Sequence, residues 1–271
     1  MIETRSAKVL QDVSPANGLV RVETDCLVLG TVLDGARLHV GGSVRIEGGV
    51  ESAEVAAGGA IEILRGVSGN GGGSLRGGGD LSARFLDHAK IEVAGTATVD
   101  TSILHCSIRA GGNVSVVTPG GIAAGGRVVC GGNLEAGVVG GAFGTDMYVS
   151  VGLAPDVLDE MEELLARRDE LARELKEARA ALKLAKGQPE KMKQTAYKLM
   201  CLRREATEAD RARTDLLARM RPRTSAMIVA RANLRAGVHG RVAGATYRVR
   251  RDSGPSRVVR RTSAAAIWPL L

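Results

Sequence analysis

The side chains best suited to acid–base, nucleophilic or metal chemistry are four histidines (His39, His88, His105, His239) and four cysteines (Cys26, Cys106, Cys130, Cys201). Only His105 and Cys106 adjoin, and neighbours in a strand point to opposite faces, so no thiolate–imidazole pair is expected. The cysteines lie far apart without a C-x-x-C pair, which argues against a zinc site or a disulfide framework. They read as small thiols in a reducing cytoplasm. No glycine run ends in Gly-Lys-Ser/Thr. The stretch Gly69-Asn-Gly-Gly-Gly-Ser-Leu-Arg-Gly-Gly-Gly-Asp80 lacks both the G-x-G-x-x-G register and a following helix, so it reads as a loop or corner. There is no G-x-S-x-G, no H-E-x-x-H and no paired carboxylates. No catalytic residue, cofactor site or metal site is expected.

The strongest electrostatic feature is arginine. Residues 224–271 hold nine basic side chains and one acidic, whereas residues 1–155 hold 11 basic and 15 acidic. Arg248, Arg250, Arg251, Arg257, Arg260 and Arg261, with Trp268, are the candidate interaction residues, suited to an anionic partner. Only Tyr247 and Trp268 could stack on bases, so nucleic acid is not expected as the partner. Ile267-Trp-Pro-Leu-Leu271 reads as a segment that docks on the protein's own rod, or else on a partner.

The elements that must position these residues follow from glycine. Of 36 glycines in 271 residues, 31 lie in residues 1–155 and one in residues 156–223. Glycine pairs recur in Val40-Gly-Gly-Ser-Val44, Ala57-Gly-Gly-Ala-Ile61, Gly77-Gly-Gly-Asp-Leu81, Ala110-Gly-Gly-Asn-Val114 and Ala124-Gly-Gly-Arg-Val128, and the single glycine of Ala94-Gly-Thr-Ala-Thr98 aligns with them. Between them lie short alternating stretches such as Val44-Arg-Ile46 and Ile91-Glu-Val93, the pattern of strands with one buried face. Glycine marks corners that need positive φ or close backbone approach. Short strands turned this often read as about seven rungs of a parallel β-helix, starting near residue 20. A narrow interior of Val, Ile, Leu and Ala explains why the chain has only six aromatics. A β-sandwich, the competing fold, ordinarily carries larger core side chains.

From Pro155 glycine stops. Val157, Met161, Leu164, Arg168, Leu171, Leu175, Ala178, Leu182 and Ala185 form a heptad seam, and Met192, Leu199, Leu202, Ala206, Ala209, Arg213, Leu216 and Met220 form a second. Gly187-Gln-Pro189 separates them, which predicts an antiparallel coiled-coil hairpin. Folding about residue 188 places Arg168 near Glu208 and Arg213 near Glu163, as ion pairs that help fix register. The expected organisation is therefore rungs over 1–154, the hairpin over 155–222, returning rungs over 223–251 and a basic, apolar tail over 252–271. The fold class is mainly β with an α insertion. No run of about 18 apolar residues predicts a membrane span, and no apolar stretch after Met1 predicts a signal peptide.

The run from Gly41 to Ile61 resembles the repeating core of the bacterial flagellar assembly protein A family. Asp80–Ile91, Ile103–Gly111 and Gly120–Gly126 do so as well, and Val149-Ser-Val-Gly-Leu-Ala-Pro155 resembles that family's exit into its coiled coil. The similarity runs from about Ser14 to about Arg251. It implies a right-handed parallel β-helix carrying a helical hairpin, and a cytoplasmic, non-enzymatic scaffold or adaptor role in flagellar assembly or its spatial regulation. It implies protein partners among flagellar or cell-pole components and leaves self-association open. The family usually carries an additional N-terminal domain, whereas this chain starts almost directly at the rungs. Relatives often have Ser where this chain has Cys106. The repeat alone also looks like the C-terminal domain of the septum-site inhibitor of cell division and like the polymer-forming bactofilins, neither of which normally carries a hairpin of this length. An acyltransferase on a left-handed β-helix, with His39, His88 or His105 as base, would need a strict hexapeptide period that the spacings lack.

Overall fold

The computed structural model describes residues 7–184, 188–219, 222–261 and 264–270. The chain divides into two compact units, Met1–Pro155 with Pro222–Leu271, and Asp156–Arg221. The first is a β-solenoid. Its strands are β1 (Lys8–Leu10), β2 (Leu19–Val22), β3 (Cys26–Val28), β4 (Arg37–Val40), β5 (Val44–Ile46) and β6 (Glu54–Ala57). Three long strands follow that run around corners: β7 (Ile61–Gly77), β8 (Leu81–Val93) and β9 (Ala97–Ala110). Then come β10 (Val114–Val116), β11 (Ile122–Cys130), β12 (Leu134–Val139) and β13 (Met147–Val151). After the helices the chain returns as β14 (Met227–Leu234), β15 (Val238–Val242), β16 (Ala245–Arg248), β17 (Ser256–Arg261) and β18 (Ala264–Pro269).

Each rung pairs in parallel with the next, so identical positions stack into columns. One inward column runs Cys26, Val44, Ile61, Leu81, Ala97, Val114, Leu134 and Ile228. A second includes Leu38, Val55, Leu75, Ile91, Ile108, Val128 and Val149. A third is aliphatic from Val13 through Val32, Val50, Val67 and Leu86. These side chains are buried in one continuous core. The described residues make about eight turns, and the first begins at Lys8 rather than near residue 20.

Glycine acts at two kinds of corner. At the first, three residues link two strands: Gly41-Gly-Ser43, Gly58-Gly-Ala60, Gly78-Gly-Asp80, Ala94-Gly-Thr96, Gly111-Gly-Asn113 and Gly131-Gly-Asn133. A Cβ on Gly58, Gly78, Gly111 or Gly131 would overlap the carbonyl oxygen of the corner below, so the requirement is close approach. The third residue reaches across to the next corner's backbone. Asp25 Oδ1 accepts from Ser43 N–H at 2.7 Å, Ser43 Oγ from Ala60 N–H at 3.1 Å, Asp80 Oδ1 from Thr96 N–H at 2.6 Å and Asn113 Oδ1 from Asn133 N–H at 2.9 Å. This column satisfies donors that the strand ladders leave over.

The second corner needs left-handed backbone. Here His88 (φ 48°), His105 (φ 51°) and Gly125 (φ 69°) occupy corresponding positions on successive turns. Ala124-Gly-Gly-Arg127 therefore does not belong to the first column, as its glycine pair suggested. The pair aligns with His105-Cys106, and Gly131-Gly-Asn133 takes the expected place.

The helices are spliced in at a corner of the first kind. Strand β13 ends at Val151 and β14 begins at Met227, where other turns need three residues. Arg223 N–H donates to Gly152 O at 2.9 Å, and Asn133 Oδ1 accepts from Met227 N–H at 3.1 Å, continuing the side-chain column across the splice. Residues 252–271, expected as a tail, instead contribute strands. β17 pairs antiparallel with β14, β16 with β15 and β18 with β17, while Ser253 bridges Leu234. Antiparallel backbone thus covers all three faces of the last turn and shields its strand edges.

The second unit contains α1 (Pro155–Leu184, of which Pro155 belongs to the solenoid unit) and α2 (Pro189–Arg219). Leu171, Ala178, Leu199 and Leu202 are buried together, with Leu175, Leu182, Ala206 and Ala209 packed against them. All eight are heptad-seam positions. One cross-helix ion pair is Arg167–Glu205 at 2.6 Å. Arg168 instead contacts Asp169 at 3.1 Å, and Glu208 contacts Arg204 at 2.9 Å. Among the described residues no ion pair joins Arg168 to Glu208 or Arg213 to Glu163. The pair Arg167–Glu205 offsets the helices by about one turn from that expectation, and Pro189 stands at the first position of α2.

Two outcomes are expected. Gly111→Ala forces a methyl onto the Ala94 carbonyl and should cost about 1–3 kcal/mol in urea unfolding, whereas Gly120→Ala, with open space around it, should stay within about 0.5 kcal/mol. A double-mutant cycle on Arg167 and Glu205 should show a small, salt-sensitive coupling, and the same cycle on Arg168 and Glu208 none.

Candidate interaction surface

The rings of His88 and His105 stack at 4.9 Å, and His88 Nδ1 lies 2.7 Å from Asp87 Oδ1. Both histidines are exposed, whereas Cys106 points into the core, its thiol donating to Leu104 O at 3.2 Å. Burial pushes the Cys106 thiol up to about 11 and the Cys130 thiol up to about 12, so each stays protonated at neutral pH. His39 Nε2 lies 3.5 Å from Glu54, and His239 Nδ1 lies 3.2 Å from Asp146. Among the described residues no three His, Cys, Asp or Glu side chains converge to hold a metal.

The candidate interaction residues lie in and beside the terminal antiparallel strands. Arg257 sits between Val229 of β14 and Trp268 of β18, so these three share one face of the sheet. Val259 and Ala266 are the next pair on that face, and Arg261 pairs with Ala264. The Arg261 guanidinium lies 5.4 Å from the Trp268 ring centroid. Trp268, Arg257 and Arg261 are exposed. Together they form a patch with an aromatic and aliphatic centre and cationic edges. Arg260 lies differently, half-buried with Nη1 donating to Ala243 O at 2.7 Å. Arg248, at the end of β16, and Arg250 and Arg251 just beyond it are exposed.

Three supports of this cap were not evident from the arginine tally. Arg231 pairs with Glu135 at 2.8 Å, and Arg235 with Asp252 at 2.7 Å. Asp252 Oδ1 also accepts from Ala236 N–H at 2.8 Å. Tyr247 donates to Val149 O at 3.2 Å, and burial pushes its phenol well above the usual range. The only acidic residue after residue 224 is thus a turn anchor, a role that its isolation among arginines signals in hindsight.

The Ala236 N–H and then the Arg235 guanidinium hold the Asp252 carboxyl below its usual value. A depressed carboxylate contributes stability above the unfolded pKa, and that contribution is lost as pH falls through the folded value. Amide protection factors at Ala236, Ser253 and Ser256, corrected for the intrinsic pH dependence of exchange, should therefore fall below about pH 4, and Asp252→Asn should remove that pH dependence.

No helix among the described residues is long and apolar enough to cross a membrane. No curated protein and no solved structure matches the chain. Residues 6–265 match the Flagellar Assembly Protein A beta solenoid domain. This match agrees with the stacked turns, the corner columns and the spliced hairpin, and the chain belongs to the flagellar assembly protein A family.

Proposed function

We propose that this protein is a non-enzymatic cytoplasmic scaffold or adaptor. It acts in flagellar assembly, or in its spatial regulation, by binding protein components of the flagellum or cell pole. The family match over residues 6–265 carries this reading. The surface best suited to such a contact is the terminal patch of Arg257, Arg261 and Trp268, with Arg248, Arg250 and Arg251 nearby. Tryptophan and arginine are the residue types that dominate binding energy at protein interfaces. A centre of Val229, Val259 and Trp268 supplies the apolar contact that such anchors need.

The second reading is a scaffold that polymerises end to end, as the bactofilin resemblance suggests. The antiparallel cover over the last turn disfavours it, since stacking through that end would require displacing β16 and β17. Light scattering across a concentration series is expected to find a discrete species. A polymer that grows with concentration would favour the second reading.

In cells lacking this gene, wild-type protein should restore flagellar number and position. Trp268→Ala combined with Arg257→Ala should lose that rescue while the protein accumulates normally. Full rescue by this variant would remove the patch from the mechanism, and normal flagella in the deletion strain would remove the flagellar role.

A further inference from the structure

The hairpin has an electrostatic polarity that packing does not require. In the helix segments nearest the connection, 175–184 of α1 and 189–203 of α2, there are seven basic side chains and two acidic ones. The remaining stretches, 156–174 and 204–219, hold seven basic and twelve acidic. The arginines Arg167, Arg168 and Arg204 are each engaged with a carboxylate. Near the connection, Lys176, Arg179, Lys183, Lys191 and Lys198 are exposed and, among the described residues, have no carboxylate within ion-pair distance. Lys193 alone there has a partner, Glu190 at 3.5 Å.

Helix stability accounts for Lys183, in the last turn of α1, but not for the cations that open α2. Lys191 and Lys193 lie at the start of α2, where the helix dipole favours negative charge. The same region leaves large apolar side chains in water. Leu184 is 84 % exposed, and Met192, Tyr197 and Met200 are exposed as well. The distribution also indicates the shape of the partner. Lys191 and Lys193, two residues apart, leave opposite sides of α2, while Lys176, Arg179 and Lys183 line a groove on a flank of α1. Cations on several sides of two helix ends suit a broad anionic surface met end-on better than a single helix lying along one face.

We propose that the connecting end of the hairpin is a peripheral binding site for an anionic lipid bilayer. The lysines and arginine would contact headgroup phosphates, and Leu184 and Met192 would enter the interfacial layer. Clustered basic residues attract anionic leaflets cumulatively, and a few buried apolar side chains add to the attachment.

The test uses the full chain in co-sedimentation with vesicles of phosphatidylcholine alone and of phosphatidylcholine mixed with phosphatidylglycerol. Binding is expected only to the mixed vesicles and should weaken as salt rises. Substituting Lys176, Lys183, Lys191 and Lys193 by Gln should weaken it at least about tenfold, while Lys→Arg at the same positions should retain it. Leu184→Gln should weaken binding at high salt, where the apolar contribution dominates. Circular dichroism should show unchanged helicity in each variant. Arg257→Gln with Arg261→Gln should leave vesicle binding intact, which separates this site from the terminal patch. Equal binding to neutral vesicles, or unchanged binding by the Gln variant, would overturn the proposal. So would polyglutamate of matched charge competing as well as the mixed vesicles, because the end would then read charge on an acidic protein rather than a bilayer.

Discussion

Close backbone stacking at one corner is the constraint on which the solenoid depends. Parallel turns lie one strand spacing apart, so whatever occupies a corner position meets its counterpart above and below. At the first position of that corner, the space a Cβ would need belongs to a carbonyl oxygen of the adjacent turn. At the third position, a short oxygen-bearing side chain takes the N–H that the ladder cannot reach. The Gly-Gly-polar triplet is therefore one device with two parts. Glycine lets the turns approach, and the approach brings Asp, Ser or Asn within reach of the next backbone. Ala60 supplies no such oxygen, and Ala94 and, at the equivalent corner Glu23-Thr-Asp25, Glu23 carry a Cβ at the first position, so departures are tolerated when neighbours keep the pattern.

This constraint also selects the core. With turns held so close, the interior has room for aliphatic side chains from three faces, and Val, Ile, Leu and Ala fill it. Tyr247 is the aromatic packed against that core, at the end where the strands turn antiparallel. The change of direction there separates a repeating body from a terminus that no longer offers parallel edges. The arginines and Trp268 lie on this closing layer, which leaves their outer face free of the repeat's own pairing demands.

Much of this organisation was legible in the sequence. Glycine frequency located both junctions of the insertion, and the heptad seams identified the residues that pack the hairpin. The helix register was not legible, because Gly187-Gln-Pro189 looks like one break, although proline at the first helical position belongs to the following element. A glycine pair likewise has two physical meanings, close approach at Gly111-Gly112 and left-handed backbone at Gly125-Gly126, and spacing alone does not separate them. The closing strands were obscured for a related reason. Arg257–Arg261 alternates too weakly in polarity to register as a strand, and its partners come from before and after it in the chain. At the candidate interaction surface, residue types pointed to Arg257, Arg261 and Trp268, but only pairing distinguishes exposed Arg261 from half-buried Arg260.

The splice between Val151 and Met227 bears on how the chain folds. Closing a flexible segment carries an entropic cost that grows with the logarithm of its length. The last turn cannot add to the stack until residues far apart in sequence meet. A helical hairpin forms from contacts within itself, and helix and loop formation are fast relative to assembling a parallel sheet. Once formed, it delivers both ends of its segment to one place, where Arg223 N–H meets Gly152 O. To the growing solenoid, the long excursion then acts as a short connection. The terminal turn can add as locally as any other, and the hairpin serves as its own folding clamp.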